Sequence, residues 1–479
     1  MDYLNSIMKS IDENSVQMVQ MLQELIRIKS TAGEPEGEMP FGAGVHKAFL
    51  YVLEKGKEAG FRTADADHYG GHVEIQGESG KIMGIAGHLD VVPEGTGWEE
   101  DPYGGIVKEG RIYGRGAADD KGPVTAAFFA MKAVKESGVP VRDTVRLILG
   151  LDEETDWKGM RYYLSKTEQP DYGFTPDGDF PVIHGEKGIL VFSLAKKLGK
   201  TLEKGMELRS LTGGEAANMV PDYARAVIRD SAGGGYSRIR KMAEEFQKEK
   251  QVQIRCKGAG KSLEITAEGI SAHGANPQEG LNAISLLMEF LGKITFTNED
   301  VNDFVEFYNA YIGFETDGSA LGCCFQDEVS GKTVLNAGKI VMNSQAAALT
   351  LNVHYPVTLQ EEAVYDGIRE AAERFNLGII KEKHEKPVYL PAEDPMVKTL
   401  MDIYQRQTGD RDSSPLVIGG GTYARAMEHV LAFGGRFPGE PELAHRKNEF
   451  VSVESLVKMA KIYGEAIYRL ACSPEAERL

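Results

Sequence analysis

Cysteine is scarce in this chain. Only Cys256, Cys323, Cys324 and Cys472 occur among 479 residues. Four scattered thiols cannot form a disulfide framework, and no Cys-x-x-Cys pair marks a thiolate zinc site. The adjacent Cys323 and Cys324 read as apolar filler. Long apolar runs are also missing, and none reaches the ~20 residues that span a bilayer. The N-terminal Met-Asp-Tyr-Leu-Asn-Ser lacks the basic start and apolar stretch of a signal peptide, so the expected location is cytoplasmic. Basic residues are in deficit: 54 Lys plus Arg against 72 Asp plus Glu give a formal net charge of −18. There is no positive surplus to displace the counterions of a nucleic acid or to settle on an anionic membrane. Low-complexity tracts and short-period repeats are absent.

What remains is the composition of a globular protein, with 42% hydrophobic and 26% charged residues. At roughly 150 residues per domain, the length predicts two or three domains. The 55 glycines predict many tight turns or close backbone approaches.

Hydrophobic spacing predicts helices over 15–29, 45–60 and 123–137, the last with Pro123 in its first turn. Short, mostly apolar segments at 82–86 and 144–151 predict buried strands, and 73–75 alternates like a strand. Alternating strands and helices indicate an α/β domain. Polar residues follow two of these strands directly, which is where α/β sheets place their sites. From about residue 188 the texture changes. Strands are expected near 189–195, 205–211, 223–229, 252–256, 262–267, 333–341 and 347–354. Helices are expected over 236–250, 281–293 and 359–375. This is an α+β insertion of two similar halves. The α/β pattern resumes near 385, with helices expected near 395–408, 421–428 and 453–471. The expected divisions are therefore 1–187 and 385–479 for the α/β domain and 188–384 for the insertion.

Five polar clusters carry possible chemistry. In Gly87-His88-Leu89-Asp90, residues two apart on an extended segment face one side. Asp90 can then orient a metal-ligating His88, or the pair can simply stabilise a loop. In the run 114–122, Asp119 and Asp120 lie between glycines; they can present a carboxylate or cap the next helix. Asp152-Glu153-Glu154 places three acids at the end of an apolar strand. Their repulsion needs a compensating cation or proton, unless the segment is a solvated turn. Thr175-Pro176-Asp177-Gly178 is a good turn sequence. His445 lies in a polar loop near the C-terminus. Together, two histidines and three carboxylates can hold two divalent ions, with one carboxylate bridging and another free as general base.

At this point the sequence resembles the M20 metallopeptidases, in particular the PepV-type bacterial dipeptidases. The stretches GHLDVVPEGTGW, IYGRGAADDKGP, DEETDWKG, FTPDGDFPVIHGEKG and ELAHRKNEF match the motifs of that family. The resemblance implies a discontinuous α/β/α catalytic domain, like that of zinc peptidases, with an inserted α+β lid. It implies His88, Asp119, Glu154, Asp177 and His445 as ligands of two divalent ions, zinc or manganese. Asp119 is the implied bridge, followed by a cis peptide to Asp120. Glu153 is the implied general base, and Asp90 the carboxylate that orients His88. In the lid, His273 is implied for the oxyanion and Asn218 for substrate contact. An enlarged lid of this kind implies a monomer.

One departure from the pattern lies in Leu351-Asn352-Val353-His354-Tyr355-Pro356. His354 stands where such relatives carry an arginine for the substrate carboxylate, and a histidine is a shorter and weaker anion anchor. Arg425, after Gly419-Gly420-Gly421-Thr422-Tyr423, is the other candidate for that role. The remaining histidines, His46, His68, His72, His384 and His429, read as ordinary surface or core residues. His184 could support the site from behind Asp177. Trp98 reads as loop packing. The expected activity is metal-dependent hydrolysis of a dipeptide. Two rivals are an N-acyl amino acid deacylase of the same fold and a non-catalytic peptide-binding protein.

Overall fold

The computed structural model describes residues 2–200 and 203–472. The chain forms two compact units, one of Met1–Gly185 with Val388–Leu479 and one of Glu186–Pro387.

The first unit is an α/β sandwich around a nine-stranded sheet. The strands run in the order 62–65, 71–75, 144–150, 82–88, 172–175, 430–432, 183–186 and 388–389, with 416–418 beside 183–186. The centre is parallel: Ile82–His88 lies between Thr144–Gly150 and Tyr172–Thr175, and Val430–Ala432 extends the set. All seven residues of Ile82–His88 and of Thr144–Gly150 are buried. That is why both segments read as continuous apolar runs rather than alternating ones, since helices cover both faces of such a sheet. Helix Lys121–Ser137 buries thirteen of its residues, and Val453–Ile467 packs with it into the same core. Each fully buried Leu, Ile, Val or Phe contributes about 1.5–3 kcal/mol.

Strand spacing at the centre depends on a glycine pair. A Cβ on Gly173 would lie 1.9 Å from the Gly84 carbonyl oxygen of the neighbouring strand. Gly173→Ala must push these strands apart, and overpacking of this severity costs about 3 kcal/mol. We expect a lower urea midpoint; an unchanged midpoint would refute the close-approach argument.

The second unit is a separate antiparallel sheet of eight strands, in the order 253–259, 262–268, 223–230, 206–213, 334–342, 346–355, 188–197 and 378–385. Its two four-strand sets join through only three residue pairs, Leu211–Gly213 against Ile340–Met342. Helices Tyr236–Lys250, Ala283–Leu291, Glu299–Tyr311 and Glu361–Arg374 help to build its core. The two ends of the insertion leave side by side, because Ile189 pairs with Glu385. An insertion with adjacent ends can enter a host domain without distorting it.

Four local readings change. The segment 421–428 forms only a short 3-10 turn, Tyr423–Ala426. Thr422 caps it and three glycines precede it, so too few residues remain for a full helix. Helices Tyr3–Glu13 and Glu299–Tyr311 and the strand Gly378–Glu385 were not expected. No helix among the described residues is long and apolar enough to cross a membrane.

Candidate metal centre

Three adjacent parallel strands end at one place, and each delivers acids or a histidine there. His88 is the last residue of Ile82–His88. Glu153 and Glu154 follow Thr144–Gly150, and Asp177 follows Tyr172–Thr175. Asp119 lies just before helix Lys121–Ser137, and a cis peptide joins it to Asp120. His445 arrives from the C-terminal segment with a left-handed backbone, φ 61°. Non-glycine residues seldom adopt this conformation, and those that do cluster at functional sites.

Asp119 is the centre of the arrangement. Its Oδ1 lies 3.0 Å from His88 Nε2, and its Oδ2 lies 3.2 Å from His445 Nε2. Asp177 Oδ2 is 3.7 Å from His88 Nε2. Glu154 Oε1 is 2.9 Å from His445 Nε2. One carboxylate thus faces two imidazoles, and a separate acid completes each side. Ligand atoms of His88, Glu153 and Asp177 lie within 4.8 Å of one another, as do those of His88, Asp119 and Glu154. Four carboxylates beside two imidazole nitrogens are a hard-to-borderline donor set, the kind that holds divalent zinc or manganese.

The electrostatics point the same way. Burial works against charge on His88, yet its hydrogen bonds to Asp119 and Asp90 hold its pKa well above the ordinary value. Hydrogen bonds to Asp119 and Glu154 raise His445 to about 10. Burial, then the nearby Asp177 charge, pushes Glu153 well above the ordinary carboxylate range. The site therefore attracts positive charge strongly, and a bound cation would favour the ionised carboxylates.

Asp90 acts through its main-chain carbonyl and through both carboxylate oxygens. The His88 ring meets its main-chain carbonyl, with Nδ1 2.9 Å from that oxygen, while the nearer carboxylate oxygen is 3.5 Å away. The carboxylate instead accepts the backbone N–H groups of Glu153 and Glu154, at 3.2 and 3.0 Å. Asp90 thereby ties the histidine strand to the acid-rich turn. The buried Tyr423 ring sits beside His88 and Trp157. It occupies the space left by Gly150, whose Cβ would come within 2.2 Å of it. Trp98 packs the loop, donating its indole N–H to the Glu94 carbonyl. His184 Nδ1 lies 2.8 Å from the Leu390 carbonyl. A cavity of about 210 Å³ opens beside the acids, with Asp119, Asp177, Ile183, Ile418, Leu443 and Phe450 in its wall.

Arg425 donates to the Gly420 carbonyl at 2.6 Å. In the inserted unit, Asn218 and His273 are neighbours. Gly274 donates to the Asn218 carbonyl at 2.7 Å, and Met219 bridges to His273. Both side chains belong to exposed residues. His354 is buried in the sheet, with Nε2 2.8 Å from Asn352 Oδ1.

The sequence reading missed Arg115 and Glu449. Both are buried and paired at 2.6 Å. Both stood inside motif stretches, but nothing in the sequence paired one with the other.

The family model described as Peptidase family M20/M25/M40 matches residues 84–469. The chain belongs to this family. M20 relatives extend over nearly its full length. "Putative dipeptidase YtjP" of Bacillus subtilis is 38% identical over 459 residues, covering 95% of this chain and 97% of that protein. A "Putative dipeptidase" of Staphylococcus epidermidis is 36% identical with the same coverage. Among solved structures, the di-peptidase Dug1p of Saccharomyces cerevisiae superposes with a TM-score of 0.57 at 14% identity, covering 99% and 100% of the two chains. Human carnosine dipeptidase 1 gives 0.56 at 15%, covering 98% of each. At these identities the two structures establish the shared fold.

Proposed function

We propose that this protein is a metal-dependent dipeptidase working with two divalent ions, zinc or manganese. The observation that carries the reading is Asp119 facing both His88 and His445. His88, Asp119 and Asp177 would hold one ion, and Asp119, Glu154 and His445 the other. When bound, such ions polarise the scissile carbonyl and make a water nucleophilic near neutral pH. Glu153, which carries none of the hydrogen bonds to the two imidazoles, takes the proton of the attacking water and passes it to the leaving amine. Asp90 keeps Glu153 in place by holding its backbone N–H. The cavity beside Asp119 and Asp177 offers room for a substrate side chain. Arg425 is the candidate for the substrate carboxylate, since the His354 side chain is buried in the sheet against Asn352. The reading also takes the protein to be a cytoplasmic monomer.

The test is a panel of dipeptides and N-acyl amino acids, assayed with Mn²⁺ or Zn²⁺ and alongside a metal count. Dipeptide hydrolysis with two ions per chain supports the reading. Preference for acyl amino acids would make the protein a deacylase, and no turnover with fewer than two ions would make it a binding protein.

The exposed turn bearing His273 and Asn218 is assigned to the oxyanion and the substrate backbone. His273→Ala is expected to lower kcat by about 10²–10³-fold, the usual effect of losing one oxyanion donor, with ion content unchanged. A wild-type kcat in this variant would remove His273 from the mechanism.

A further inference from the structure

We infer that Glu449, clamped by Arg115, is a positioning residue that sets the geometry between Asp119 and His445. This rests on the two-ion reading above. Glu449 Oε1 accepts the backbone N–H groups of Ala118 and Asp119 at 2.8 and 3.2 Å. Its Oε2 receives Arg115 Nη1 at 2.6 Å. The same guanidinium reaches the Arg446 carbonyl at 3.2 Å and the Pro93 carbonyl at 3.4 Å. The Glu449 carbonyl accepts the N–H of Gly114 at 2.9 Å. Arg115 and Glu449 are 2% and 0% exposed.

Three segments therefore converge on one buried ion pair: the loop after His88 and Asp90, the loop carrying Asp119, and the loop carrying His445. The last of these needs an anchor. Residues 444–447 are exposed, and the His445 side chain itself is 54% exposed. Glu449 is the first buried residue beyond them. Asn448 adds a second tie, accepting the Glu99 N–H at 2.9 Å. Glu449 touches neither imidazole, so it acts through others: it holds Asp119 by the main chain and His445 by the four-residue tether. The ion shared by Asp119, Glu154 and His445 depends on both holds, whereas the ion on His88 and Asp177 depends on the first alone. Residues that orient metal ligands typically contribute 10–100-fold to metal affinity.

The experiment is calorimetric titration of metal-stripped wild type, Glu449→Gln and Glu449→Ala with Mn²⁺, with thermal unfolding of the same samples. Glu449→Gln keeps an oxygen for the Ala118 and Asp119 N–H groups, so it guards against a folding failure in Glu449→Ala, which leaves a buried Arg115 charge alone. The expected result in Glu449→Ala is one equivalent weakened about 10–100-fold and the other weakened clearly less, with smaller losses in Glu449→Gln. Excess Mn²⁺ should restore much of the kcat in folded variants, which a purely structural role would not produce. Two equivalents of wild-type affinity in either folded variant, or equal weakening of both, would overturn the assignment. If wild type itself binds fewer than two ions or cleaves no dipeptide, the two-ion reading fails instead, whatever Glu449 does.

Discussion

Glu153→Ala is expected to reduce kcat by about 10³-fold while both ions stay bound. General acid–base groups contribute 10²–10⁴-fold, and Glu153 is asked to move a proton twice in each turnover. Its position suits the task. It lies within 4.8 Å of ligand atoms of His88 and Asp177, yet the two imidazoles are engaged by Asp119 and Glu154. In the metal-free site, burial and the Asp177 charge raise its proton affinity; bound cations would favour its ionised form, the form that accepts a proton. Removing the side chain leaves Asp90 still bound to the Glu154 N–H, so the rest of the turn should persist. The check is kcat for the best dipeptide together with elemental analysis. Near-wild-type turnover with two ions present would transfer the role to another group.

Asp119→Ala should have the other large effect, through a different route. Here the loss should appear first in metal content. Each Asp119 oxygen faces a different imidazole, so on the two-ion reading truncation would remove a ligand from both ions at once. It also leaves His88 and His445 without the carboxylate that fixes their approach. We expect fewer than one tightly bound ion per chain and a kcat loss of at least about 10³-fold, because water activation and carbonyl polarisation vanish together. Raising Mn²⁺ should recover little. A variant that retains two ions would show that Asp119 is not shared.

The convergence of His88, Asp119, Glu153, Glu154, Asp177 and His445 was legible through the family resemblance of their motifs, and for Glu153 and Glu154 for a physical reason as well. Acids crowded at the ends of buried strands are costly, so their presence announces a compensating charge. The parallel core was legible because buried strands leave continuous apolar runs. Arg115 and Glu449 were not legible, because a Glu in a polar loop ordinarily faces water. Only the packing of three distant segments reveals that this one is sealed from solvent. Asp90 shows a different limit. Spacing alone put it on the His88 side of an extended segment, but could not say which of its oxygens the ring would meet. The shortened helix near 421–428 lost to its own glycines.

The interruption of the catalytic unit also has a consequence for synthesis. Five of the six clustered side chains lie before Gly185, but His445 and Glu449 come only after the insertion. Translation proceeds at 5–20 residues per second, so this delay is on the order of tens of seconds. During that time Tyr172–Thr175 lacks Val430–Ala432, its eventual partner, and presents an open sheet edge, the kind of surface that invites pairing with other chains. The nascent chain also cannot complete the arrangement around Asp119. On the two-ion reading, hydrolytic capacity is expected to arise only once His445 has been made, so a chain stopped within the insertion is expected to be inactive.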